Sequence, residues 1–94
     1  MEREYRIEAP LQHPCYSGHF PGQPIVPGVV LLDLIVATLG RGAPRVLEQV
    51  KFHRAVMPGE SFTLRISCSG PKVRFRCSHA DASVIAEGSM SFNA

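Results

Sequence analysis

Two ionisable side chains stand in a stretch otherwise made of proline, glycine, aromatic and aliphatic residues. His19 and Asp33 lie fourteen positions apart within residues 17–33. An imidazole with a pKa near ~6.5 suits a general base at neutral pH. A carboxyl group among Val and Leu has its pKa raised by desolvation, so Asp33 can hold or share a proton. Between the two, Gly28, Val29 and Val30 are predicted to open a helix. The first N–H groups of a helix lack intrahelical partners and sit at the positive end of its dipole. Gly28 has no side chain to block approach, so these amides suit a developing oxyanion. Base, acid and oxyanion donors together fit abstraction of a proton next to a carbonyl, coupled to loss of a hydroxyl. Singly, each residue has a plainer reading: a loop histidine is commonly structural or exposed, and a helix aspartate is commonly salt-bridged.

The elements that must position these groups are legible. Pro21, Pro24 and Pro27 recur at every third position, and proline fixes φ and disfavours helix in the residue before it. A stiff, extended loop is expected there. The same spacing could serve as a polyproline ligand, but it runs straight into a core helix. Residues 28–39 are apolar except for Asp33 and Thr38, and Gly40 is a plausible C-cap. The expectation is a helix hydrophobic all round, hence buried. Residues 3–9, 62–68 and 73–78 alternate apolar with polar, as half-buried strands do. Residues 46–56 form a further apolar stretch, with Val50 and Phe52 opposite Lys51 and His53. Residues 84–92 are expected to place Val84, Ala86, Gly88, Met90 and Phe92 on one face and Ile85 on the other. Turns are expected at Met57-Pro58-Gly59-Glu60 and Ser69-Gly70-Pro71-Lys72. Short turns imply antiparallel neighbours. The fold class is therefore α+β, an antiparallel sheet curled around one helix, in a single domain spanning residues 1–94.

Composition narrows the function classes. A net charge of +2 argues against a dedicated nucleic-acid binder. The longest apolar run is well short of the ~20 residues of a membrane span. The chain opens on Glu2, Arg3 and Glu4 rather than on a signal peptide, and three cysteines without paired spacing suit a reducing compartment. A cytoplasmic protein is expected. His13, Cys15 and His19 are close in sequence, but zinc sites usually show spaced ligand pairs, so no metal is expected. At this size a chain buries only roughly 60–70% of its unfolded surface, which makes a dimer attractive. Lys51 and Arg54 belong to a basic second half that could attract an acidic partner.

The block His19-Phe20-Pro21-Gly22-Gln23-Pro24-Ile25-Val26-Pro27-Gly28-Val29, followed by Asp33, resembles the signature of the 3-hydroxyacyl-ACP dehydratases of fatty-acid synthesis. Val50-Lys51-Phe52-His53-Arg54-Ala55-Val56-Met57-Pro58-Gly59-Glu60 resembles a second block of that family. The resemblance implies a hot-dog fold and a homodimer, with a heterodimer of related subunits as the alternative. It implies a substrate carried on the phosphopantetheine arm of acyl carrier protein, with no other cofactor. His19 of one chain would face Asp33 of the other. His19 would take the C2 proton, Asp33 would assist departure of the C3 hydroxyl, and the Gly28 N–H, with Val29, would polarise the thioester carbonyl. Lys51 and Arg54 are candidate carrier-protein contacts. Ala37 stands where these enzymes commonly have Gln, and the chain is short. It looks more like the small dehydratases of aryl polyene pathways.

Overall fold

The computed structural model describes residues 1–16 and 25–93. The expected stiff loop over 17–24, with His19, lies outside the described residues. The elements run β1 (Glu2–Glu8), a single 3-10 turn (Pro14–Tyr16), α1 (Gly28–Leu39), β2 (Val46–Phe52), β3 (Ser61–Ser69), β4 (Lys72–Ser78) and β5 (Val84–Ser91). The strands form one antiparallel sheet in the order β1-β3-β4-β5-β2. The β3-β4-β5 centre is built from two short connections. Gly70, at φ 60°, heads the first of them. β1 and β2, which flank α1 in sequence, take the two outer positions.

The helix begins at Gly28 and ends where Gly40 adopts φ 68° and donates its N–H to Val36 O at 3.3 Å. A left-handed residue at this position is what a glycine C-cap supplies. Val30, Leu31 and Ile35 are buried against Phe62, Leu64 and Ile66 of β3, Val73, Phe75 and Cys77 of β4, and Ala86 and Met90 of β5. Each large apolar side chain so buried contributes about 1.5–3 kcal/mol. The helix is not buried all round, however. Val29, Asp33 and Ala37 are exposed, and their i, i+4, i+8 spacing makes them one stripe. A one-layer sheet covers only one side of a helix, so within a single chain the opposite side stays open.

β2 departs from regular alternation. Its register against β5 runs Val46↔Ser91, Leu47↔Met90, Glu48↔Ser89, then Lys51↔Glu87 and Phe52↔Ala86, with a shift between Glu48 and Lys51. Gln49 and Val50 therefore share the place opposite Gly88, and Gln49 sits at φ 52°. This is a β-bulge. Side chains alternate faces along a strand, so one extra residue exchanges the faces of everything after it. Leu47 and Phe52, five residues apart, both end up on the helix side of the sheet, opposite the buried Met90 and Ala86. A Cβ on Gly88 would lie 2.9 Å from Val50 Cα and 3.1 Å from Phe75 Cζ, so only glycine leaves room for the bulge.

β5 also differs from the expected alternation. Ile85, expected on the polar face, is fully buried. A second register shift falls between Cys77 and Ser78, and the chain leaving β2 is bonded to this point. The His53 and Arg54 N–H groups both donate to Ile85 O, at 2.7 and 3.1 Å.

The two sheet edges are unlike. β1 carries Glu2, Arg3, Glu4, Arg6 and Glu8, all exposed, whereas β2 exposes Val46, Leu47 and Phe52. One charged row crosses the whole outer face through register partners Glu4, Arg65, Arg76, Glu87 and Lys51. The adjacent guanidiniums of Arg65 and Arg76 are each held by a carboxylate, Arg65 Nε to Glu4 at 3.1 Å and Arg76 Nη2 to Glu87 at 3.4 Å. Among the described residues no helix is long and apolar enough to cross a membrane.

Gly88→Ala should lower stability by about 1–3 kcal/mol, because the added methyl meets backbone rather than a mobile side chain. The urea midpoint measures this, and an unchanged midpoint would show that β2 yields freely.

Candidate active site

The entrance to α1 is fixed by backbone rather than by a capping side chain. Pro27 occupies the N-cap position with extended φ −60° and ψ 148°, and no side chain caps the helix. Its carbonyl accepts from Val30 N–H at 3.0 Å and Leu31 N–H at 3.1 Å. The Gly28 and Val29 N–H groups make no hydrogen bond among the described residues. They are the donors the sequence pointed to. One residue earlier, Val26 N–H donates to Val56 O at 2.7 Å, which ties the approach to the helix to the loop after β2.

That loop is itself tightly held. Met57-Pro58-Gly59-Glu60 closes with Glu60 N–H to Met57 O at 3.0 Å, and Gly59 takes φ 83°. Proline followed by a positive-φ glycine is the signature of a type II turn. Ala9 brackets the turn, donating to Glu60 O and accepting from Gly59 N–H, both at 2.9 Å. The His79 ring lies 3.1 Å, through Nε2, from Ala55 O, and its Nδ1 is 3.8 Å from Glu60. In the adjoining turn the Ser83 hydroxyl and N–H hold the Asp81 carboxyl below its ordinary range, helped by the charges of His79 and Arg54.

Asp33 lies on the exposed stripe of α1, between Val29 and Ala37 in helical spacing. The expectation of a carboxylate surrounded by Val and Leu is corrected: those neighbours turn into the core, and Asp33 turns out. Val29 is 60% exposed and Phe52, from the end of β2, is 51% exposed. The Phe52 ring closes on the helix entrance. A Cβ on Gly28 would lie 2.9 Å from its Cζ. A stripe bearing one carboxyl group, which begins at the exposed Val29 and at amides without a partner among the described residues, is thus presented to the outside of the single chain.

Lys51 and Arg54 part company. Lys51 faces the outer side of the sheet, in register with Glu87, whereas its neighbour Phe52 faces the helix. Arg54 is exposed in the loop after β2, near Asp81. An apolar cavity of about 880 Å³ opens beside the helix approach, lined by Leu11, His13, Tyr16, Ile25, Met57 and Pro58 among others. Tyr16 is braced across it by its hydroxyl, which donates to Pro10 O at 2.8 Å. Phe52 and this cavity were not singled out in the sequence. The glycine within β5 was the available signal for Phe52, since a strand glycine marks a bulge or a close approach.

No group of three or more His, Cys, Asp or Glu able to hold a metal ion occurs among the described residues. Burial pushes the Cys77 thiol up to about 12, which removes it as a nucleophile.

Comparison with known proteins bears on this surface. The family model described as ApeI-like, ApeI dehydratase, matches residues 2–89. The 3-hydroxyacyl-[acyl-carrier-protein] dehydratase FabZ of Haemophilus influenzae is 33% identical over 69 residues, 60% of this chain and 47% of that one. The FabZ of Chlamydia trachomatis is 33% identical over 101 aligned positions, 87% of this chain and 65% of that one. The chain therefore spans about half to two-thirds of the length of these relatives. The dehydratase heterocomplex ApeI:P from Xenorhabdus doucetiae superposes with a TM-score of 0.78 at 23% identity, over 96% of this chain and 85% of that one. This likeness establishes the hot-dog fold.

Gly59→Ala should cost about 1–3 kcal/mol, because the residue must keep a left-handed backbone and its Cβ would meet Leu11 Cδ2 at 2.6 Å. Thermal unfolding measures the loss. A melting temperature equal to that of the unaltered protein would remove the 57–60 turn as the anchor of the helix approach.

Proposed function

Because the chain belongs to the ApeI-like dehydratase family, we propose that it dehydrates a 3-hydroxyacyl thioester to the trans-2-enoyl thioester, at a site completed by a second hot-dog subunit. His19 of one chain removes the C2 proton, and that electron pair becomes the C2–C3 double bond. The C3–O bond breaks, and Asp33 of the other chain supplies the proton with which the hydroxyl leaves as water. The Gly28 N–H, with that of Val29, donates to the thioester oxygen and stabilises the charge that builds on it. The substrate arrives on the phosphopantetheine arm of an acyl carrier protein, as the names of the FabZ relatives suggest, and Arg54 is its candidate contact.

The observation that carries this reading is the exposure of Asp33. Within one chain the carboxyl group stands on an open stripe with Val29 and Ala37. Desolvation helps keep a carboxylic acid protonated near neutral pH, and a second subunit over this stripe supplies it. The apolar edge of β2 is available to the same neighbour. The second subunit is either another copy or a related chain. The Xenorhabdus heterocomplex favours the latter, as does Ala37. In that case this chain supports a partner dehydratase, and its own pair of residues contributes weakly.

Turnover of a 3-hydroxyacyl thioester on carrier protein tests the reading, with enoyl absorbance and free thiol followed together. Enoyl product without thiol is expected, and thiol release would point to hydrolysis instead. His19→Ala and Asp33→Asn should each lower kcat by at least about a hundredfold. Mixing the two variants under conditions of subunit exchange should restore part of the activity, since one site of each mixed dimer regains both groups. Absence of recovery despite measured exchange would place both residues within one chain.

A further inference from the structure

We propose that Phe52 is a positioning residue for the dehydration, holding the thioester carbonyl at the Gly28 N–H and keeping water from that hydrogen bond. This deepens the dehydratase reading above and rests on it. Three observations carry it.

The ring is placed by close contact. A Cβ on Gly28 would meet Phe52 Cζ, Cε1 and Cε2 at 2.9, 3.1 and 3.2 Å. Those three atoms form the far end of the ring, and their near-equal distances put that end face-on against the bare Cα of the first helical residue. No residue other than glycine leaves it there.

Core packing does not account for the ring. Phe52 is 51% exposed, although burying such a side chain would add stability. One face covers Gly28, and the next helical residue, the exposed Val29, opens the stripe that bears Asp33.

The strand is irregular in the way this placement needs. Without the bulge at Gln49 and Val50, Phe52 would face the outer side and Lys51 would face the helix. The bulge in turn requires Gly88. Two glycines on different elements thus fix one half-exposed aromatic ring at the helix entrance. Bulges recur next to active sites, where they re-aim a side chain.

The physical effect follows from the ring's apolar character. A hydrogen bond from an amide to a carbonyl is stronger where water is excluded and the local dielectric is low. The ring excludes water from one side of Gly28, whose N–H makes no hydrogen bond among the described residues. The bond gains most when charge builds on the oxygen, so the effect falls on kcat more than on KM.

The test compares the unaltered protein with Phe52→Ala, Phe52→Leu and Asp33→Asn. Isotope-edited infrared spectroscopy reads the carbonyl band of a bound, ¹³C-carbonyl-labelled enoyl thioester, and turnover is measured in parallel. In Phe52→Ala the band should move back toward its position in water, and kcat should fall about tenfold, less than for loss of a whole oxyanion donor. KM should change less than threefold. Phe52→Leu should recover most of both. An unmoved band with kcat within twofold of the unaltered protein overturns the proposal. So does activity lost only in step with dissociation measured by sedimentation and regained on concentrating the protein, which would make Phe52 an interface residue alone. Asp33→Asn separates the two readings. If it abolishes turnover while Phe52→Ala leaves band and rate unchanged, only the Phe52 inference fails. If Asp33→Asn turns over normally, the acid–base reading fails, and the carbonyl band still decides the role of Phe52.

Discussion

The inserted residue in β2 is the constraint on which the site depends. A strand has two faces and a fixed alternation, so its facing is decided once, and only an added residue can reverse it. Here the reversal falls between Glu48 and Lys51. Ahead of it, Leu47 lies over the interior; behind it, Phe52 does the same, and Lys51 is sent outward. The backbone of Val50 is admitted because Gly88 has nothing to oppose it. The end of β2 then leads directly into the loop that reaches the helix, through Val56 and Val26. The bulge, the loop and the helix start form one continuous path.

The helix start uses backbone groups where many helices use a side chain. A Ser, Thr, Asp or Asn at the N-cap would occupy one of the first amides of the helix, and Pro27 cannot. Proline also holds φ at the extended entry value without contributing a donor of its own. The cost is a helix without a cap, offset by packing: Val30, Leu31 and Ile35 hold the first turns in the core. The donors stay available because the stability of the helix comes from elsewhere.

Much of this arrangement could be read from the residues. The helix over 28–39 with its Gly40 terminus, the alternating strands β3 and β4 and the two turns follow from local rules of periodicity and turn chemistry, and they stand as expected. What could not be read depends on partners distant in sequence. The all-apolar run of α1 suggested full burial, yet Val29, Asp33 and Ala37 face outward because one sheet layer covers one side only. Ile85 broke the alternation of β5 because it falls at the register shift between Cys77 and Ser78. Phe52 and Lys51 face as expected, but the bulge that lets Leu47 share the helix side with Phe52 has its cause, Gly88, in another strand. The pair His19 and Asp33 was recognised by type and spacing. Asp33 is found at the surface, and His19 lies outside the described residues.

The unlike borders of the sheet have a consequence for assembly. β1 ends the sheet with a fence of charged side chains, which discourages a further strand from joining. β2 ends it with Val46, Leu47 and Phe52 in contact with solvent. A sheet that can be extended on one side only has room for a single neighbour. Joined edge to edge about a two-fold axis, two such units consume both open borders and leave two fenced ones, so growth stops at a pair. Such a pairing would cover the apolar edge strand without the hazard of fibre formation.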